Sequence, residues 1–126
     1  MVNGNEKASL IFDSTEFSHG YFKVGAINYS ESNRLVNVKF DKSIFKDINS
    51  TNGPIIQVEK ISKNYSGYIR FSNVIFEDIV AKDRGGIIFS VSEYTNKIVI
   101  FDGCEFKNVK AKYGNIILFI IVIFCF

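Results

Sequence analysis

The stretch that decides the fold is residues 69–91, IRFSNVIFEDIVAKDRGGIIFSV, because the chain repeats it before and after. Residues 38–58, VKFDKSIFKDINSTNGPIIQV, and 99–119, VIFDGCEFKNVKAKYGNIILF, carry the same order of features, and residues 11–29, IFDSTEFSHGYFKVGAINY, are a degenerate version. In each unit one phenylalanine follows another by five residues: Phe12 and Phe17, Phe40 and Phe45, Phe71 and Phe76, Phe101 and Phe106. The first members stand 28, 31 and 30 residues apart, so one unit of about 30 residues is written four times.

Each unit opens on a short alternating run, such as Val38 and Phe40, whose period of two sends one set of side chains inward. A second short strand is expected to end on the second Phe. Three residues later stands Ile48, Ile79 or Val109, where the first unit has Gly20. A polar turn then reaches Gly25, Gly53, Gly85 with Gly86, or Gly114, as suits a backbone that turns through positive φ or nears its neighbour, before a third apolar run. Polar stretches of unequal length follow, residues 30–34, 62–67 and 92–97, and length variation confined to one point of a period marks a loop. Three short strands, two tight corners and one tolerant loop describe a coil of a right-handed parallel β-helix, an all-β solenoid. The boundaries read from the pattern are an N-terminal extension at 1–9, coils near 10–35, 36–67, 68–97 and 98–119, and an apolar tail at 120–126.

Stacking coils about 4.8 Å apart places equivalent residues above one another, so Phe12, Phe17, Phe40, Phe45, Phe71, Phe76, Phe101 and Phe106 are the expected core ladder. Composition agrees. Ile and Phe dominate the apolar set while leucine is confined to Leu10, Leu35 and Leu118, which excludes a leucine-rich repeat and favours strands. An antiparallel sandwich would space its strands less evenly, although Asn52-Gly53 is a hairpin-type dipeptide.

The second and third pieces of the repeat, residues 76–79 with 85–88 and residues 106–109 with 114–117, resemble the Phe-x-x-Asn and Gly-Gly-Ala-Ile elements of chlamydial polymorphic outer-membrane proteins and Pmp-like right-handed β-helix proteins. The resemblance covers most of residues 10–119. It implies a surface-displayed, adhesin-like scaffold, and the superfold is shared with pectate-lyase-like enzymes, so a polysaccharide lyase or hydrolase is the alternative, and a truncated non-functional paralogue a third.

Two polar rows accompany the phenylalanines. One residue after the first Phe stand Asp13, Asp41, Ser72 and Asp102; two after the second stand His19, Asp47, Asp78 and Asn108. Asp13, Asp41 and Asp102 are weak calcium candidates, but Asp and Asn also close turns by bonding nearby backbone amides, and this is the favoured reading. No catalytic set is assigned: His19 is the only histidine, and no acid pair accompanies Arg70 or Arg84 as a lyase or hydrolase base would require. No cofactor is expected. Cys104 reads as a small core residue in the row of Thr15, Ser43 and Val74.

A net charge of +2 with scattered lysines gives nucleic acid no footing. Asn28, Asn49 and Asn64 fit the glycosylation acceptor pattern, Asn49 and Asn64 in expected turns, which mildly supports a secretory route although no secretory signal is visible. The location expected is therefore extracellular or at the cell surface. Carbohydrate or a surface protein is the expected partner, with Tyr65 and Tyr94 as loop-borne binding candidates. Residues 116–126, IILFIIVIFCF, are too short to span a bilayer at roughly 20 residues. They are expected to drive self-association through that end, any membrane contact being left open.

Overall fold

A computed structural model describes residues 8–23, 25–29, 35–59, 61–113 and 117–118. Each passage of the chain makes three strands in sequence: β1 (Ala8–Asp13), β2 (Glu16–Phe22) and β3 (Ile27–Tyr29); β4 (Leu35–Asp41), β5 (Ile44–Asn52) and β6 (Ile56–Val58); β7 (Tyr68–Ser72), β8 (Ile75–Arg84) and β9 (Ile88–Ser90); β10 (Val99–Asp102), β11 (Glu105–Tyr113) and β12 (Ile117–Leu118). Like strands pair with like in parallel, giving sheets β1-β4-β7-β10, β2-β5-β8-β11 and β3-β6-β9-β12. The result is a parallel β-solenoid of about three turns, slightly fewer than the four coils counted in the sequence. The last passage contributes only Ile117–Leu118 to its third sheet among the described residues.

Register follows the phenylalanines. Phe12 pairs with Phe40, Phe40 with Phe71 and Phe71 with Phe101; Phe17 pairs with Phe45, Phe45 with Phe76 and Phe76 with Phe106. Rings of one row stack nearly parallel, 4.9 Å apart for Phe12 and Phe40 and 5.1 Å for Phe71 and Phe101. The two rows meet edge to face, as at Phe71 and Phe76, 5.3 Å and 68°. Eight rings thus form a herringbone column in which every contact has a favourable quadrupole geometry, each worth about 0.5–1.5 kcal/mol beyond the area buried. Phe40, Phe45, Phe71, Phe76 and Phe101 are buried, with Val38, Ile48, Ile69, Ile79, Ile56 and Ile88 around them. Phe12, Phe17 and Phe106 belong to the outermost described coils and are half-buried, whereas Phe101 of the last coil is buried.

The second strand does not end on its second Phe. It runs on to Asn52 in β5 and to Arg84 in β8, bending where the backbone takes positive φ at His19 (58°), Asp47 (53°), Asp78 (52°) and Asn108 (52°). One extra residue at that bend changes the phase of the alternation: Phe45 faces in, Lys46 and Asp47 face out, and Ile48 faces in again. Asn49, expected in a turn, therefore lies inside β5, half-buried and paired with Tyr21 and Val80.

The corner between the first two strands is built on a second left-handed row, Ser14, Lys42, Asn73 and Gly103, with φ of 50°, 47°, 53° and 63°. Its amides keep the ladder unbroken: Lys42 donates to the Ser72 carbonyl at 3.0 Å and Asn73 to the Asp102 carbonyl at 2.8 Å. The next residue locks the corner where it is polar, for the Ser43 hydroxyl donates to the Asp41 carbonyl at 3.0 Å and the Cys104 thiol donates to the Phe71 carbonyl at 3.3 Å. Cys104 is half-buried at this corner.

At the corner before the third strand the backbones close on one another. Gly53 has φ of 43°, and a Cβ there would lie 2.5 Å from the Phe89 nitrogen and 2.6 Å from the Ile56 carbonyl, so glycine is required on both grounds. Gly114, Ile116 and the apolar run from 119 onward, with residues 1–7 of the expected extension, lie outside the described residues. So does the surface through which self-association was expected, apart from the backbone of Ile117–Leu118.

Candidate functional site

The polar rows fall where stacking puts them, and in the second of them side chains of neighbouring coils pair with one another. His19 Nδ1 lies 2.7 Å from Asp47 Oδ2, and Asn108 Nδ2 donates to Asp78 Oδ1 at 2.7 Å, all four side chains lying outside the solenoid. Asp, Asn and His recur here because they tolerate the left-handed backbone better than other residues with a Cβ. The residues of the other row are in register, Asp13 with Asp41, Asp41 with Ser72 and Ser72 with Asp102. Ser72 interrupts the carboxylates, and Arg70 occupies Asp102 at 2.9 Å while its Nε donates to the Ser72 hydroxyl at 3.1 Å. Asp13 accepts from the Ser14 hydroxyl at 3.1 Å. Among the described residues no three His, Cys, Asp or Glu side chains converge as a metal would need.

Arg70 is thus tied to Asp102, and Arg84 Nε to the adjacent Asp83 at 3.4 Å, each exposed on its own sheet face. A cavity of about 290 Å³ lies at the first coil, lined by Phe17, Gly20, Phe22, Phe45 and Ile48. Gly20 pairs with Ile48 in the row that continues through Ile79 and Val109, and the Phe22 ring lies 2.7 Å from where a Cβ of residue 20 would stand. The cavity lining is mostly apolar and holds one carboxylate, Glu16.

The variable loops are the remaining surface, and buried hydroxyls fix them. After β9, the Ser92 Oγ accepts from the Ile61 and Tyr94 amides, both at 3.3 Å, and donates to the Ile61 carbonyl at 3.4 Å. The Thr95 hydroxyl donates to the Ser92 carbonyl at 2.8 Å and bonds the Ser90 hydroxyl, and all three side chains are buried. This network ties the loop of one coil to the loop of the coil before it, and a 3-10 turn at Thr95–Lys97 follows. Tyr94 is presented there, half-exposed, with the Lys97 ammonium 5.2 Å from its ring centre and its phenol pKa raised by the hydrogen bond to Glu93.

Tyr65 behaves differently from a loop-tip aromatic. Its ring is half-buried and packs edge to face on Tyr29 at 6.0 Å and 73°, and the two hydroxyls bond at 3.1 Å, so it holds its loop to the core. Of the acceptor asparagines, Asn64 stands exposed in a turn as expected, Asn28 is exposed within β3 and donates to Glu59 Oε1 at 2.9 Å, and Asn49 lies in the middle of a sheet. Sequence reading missed the row of Ser14, Lys42, Asn73 and Gly103; the signal was there, since Asn and Gly at one repeat position announce positive φ. It also missed the hydroxyl network, because Ser90, Ser92 and Thr95 read as ordinary loop polarity. Searches against protein-family models, curated proteins and solved structures find no match for the chain.

Proposed function

We propose that this chain is a non-catalytic, extracellular or cell-surface scaffold with Pmp-like repeats, presenting its loops for adhesion to carbohydrate or to a surface protein. The supporting observation is the pinned loop at residues 91–98, where three buried hydroxyls are used to hold Tyr94 and Lys97 in place. Ordering a loop in advance lowers the entropy lost on binding, and tyrosine gives large contact area for few rotors. Catalysis has weaker support, because Arg70 and Arg84 are each bound to one acid and glycoside hydrolysis wants two carboxyl groups roughly 5–10 Å apart across the bond.

The test is a panel of immobilised neutral oligosaccharides, together with intact cells, probed with the purified chain and with Tyr94→Ala/Lys97→Ala. Binding that falls roughly tenfold in the variant is expected, the loss of one aromatic anchor and one cation. Binding unchanged by the variant, or cleavage products from polygalacturonate, would overturn the reading.

A further inference from the structure

The outer face of the β2-β5-β8-β11 sheet divides its charges unevenly. The acids of β5, β8 and β11 all have partners: Asp47 has His19, Glu77 has Lys46 at 4.0 Å, Asp78 has Asn108, Asp83 has Arg84, and Glu105 has Lys107 at 3.3 Å. Three exposed cations of the same face, Lys82, Lys110 and Lys112, have no ion-pair partner among the described residues. They are also neighbours. Ala81 pairs with Ala111 and Arg84 with Tyr113, so Lys112 lies opposite the bulge that Lys82 and Asp83 form on the adjacent strand, and Lys110 pairs with Val80.

Like charges on adjacent strands repel, and sheets ordinarily interleave them with acids. Here aromatic rings take that place: the Lys82 ammonium lies 5.5 Å from the centre of exposed Tyr21, reaching back across β5, and that of Lys112 lies 5.2 Å from exposed Tyr113. A ring face attracts an ammonium without neutralising it. The cations therefore keep their full charge while being held in position along the axis. Lys110 and Lys112 stand about 6.8 Å apart along one strand, and the Lys82 ammonium is carried along the axis towards β2, so the three charges spread along the sheet.

We propose that this face is a binding site for an acidic polysaccharide, whose regularly spaced carboxylates or sulfates replace the missing acids. A nucleic acid is disfavoured because single strands want free aromatic faces for stacking, and the faces of Tyr21 and Tyr113 carry lysines. The site is separate from the loop at residues 91–98, so it goes beyond the loop reading and stands or falls apart from it.

The experiment measures binding of the full chain to heparin and polygalacturonate, with neutral dextran and a single-stranded DNA oligonucleotide as comparisons, across a salt series. Both acidic polysaccharides should bind and weaken as salt rises, and dextran should not bind. Lys82→Gln/Lys110→Gln/Lys112→Gln should weaken binding roughly tenfold, the sum of three exposed charge contacts of ordinary size. It should lower the thermal midpoint only slightly, since none of the three makes an ion pair and two of them lose only an exposed ring contact. Lys39→Gln/Lys42→Gln/Lys63→Gln removes the same charge elsewhere and should leave binding unchanged. Failure of both polysaccharides to bind, equal weakening by the second triple, or tighter binding of the oligonucleotide would overturn the proposal. Loss of binding with Tyr94→Ala/Lys97→Ala alone would locate it on the loop instead.

Discussion

Tyr29 shows how much one side chain can make the fold depend on solution conditions. It is buried, and that burial, with the hydrogen bond to Tyr65 second, pushes its phenol pKa well above the ordinary value of 10. An unfolded chain releases this proton near pH 10 while the folded one retains it, so the contribution is complete below about pH 10 and shrinks as pH climbs towards the raised folded value. The slope from this one group is about 1.4 kcal/mol per pH unit above pH 10. Urea unfolding of the wild type between pH 10 and 12 should therefore lose stability more steeply than Tyr29→Phe, although at pH 7 the variant is weaker by about 1 kcal/mol for its lost hydrogen bond. Equal slopes for the two proteins would show that the Tyr29 proton is not retained on folding.

Strands in this molecule are held by the rows their side chains form, and position within the row decides what a side chain contributes. Phe71 has a ring above, a ring below and the second row at its edge, and it is fully buried. Phe71→Ala should cost about 3–5 kcal/mol. Phe106 has Phe76 on one side and is half-buried, so Phe106→Ala should cost less than about 3 kcal/mol. Chemical denaturation of the two variants checks the ordering, and a larger loss at Phe106 would mean that another part of the chain covers it. The rows themselves were legible in the sequence because a parallel stack converts a spacing of about 30 residues into a direct contact. The run of β5 and β8 past their second Phe was not legible, since nothing in the residue types says that Asp47 and Asp78 bend a strand and do not end it. The packing of Tyr65 was not legible for a related reason: a tyrosine in a polar loop looks exposed until the fold brings Tyr29, 36 residues away, beneath it.

For the molecule as a whole, a row of exposed acids suggests an axial column of ions, and the geometry argues otherwise. Ser72 breaks the row of Asp13, Asp41 and Asp102, and Arg70 already neutralises its last member. Ten millimolar calcium should move the thermal midpoint by less than about 1 °C, whereas a site filled a hundredfold above its Kd would stabilise by about 2.7 kcal/mol and raise it by several degrees. A saturating rise would assign the row to calcium. The positions of the candidate surfaces were only partly readable beforehand. Lys82, Lys110 and Lys112 are scattered in the sequence and adjacent only because β8 and β11 pair, whereas the loop at residues 91–98 announced itself by its place in the period.

The unbroken ladder through the corners carries a consequence for size. Lys42 reaches Ser72 and Asn73 reaches Asp102 by the same bond, so each coil meets its successor as its predecessor met it. No contact in the middle of the stack specifies how many coils there are. A further copy of residues 69–98 spliced in after Ile98 would meet the same rings, corners and glycines on both sides, lengthening the rod by one strand spacing without disturbing either neighbour. Length in this architecture is an open quantity, set by how often the unit is written and not by the packing of any one unit.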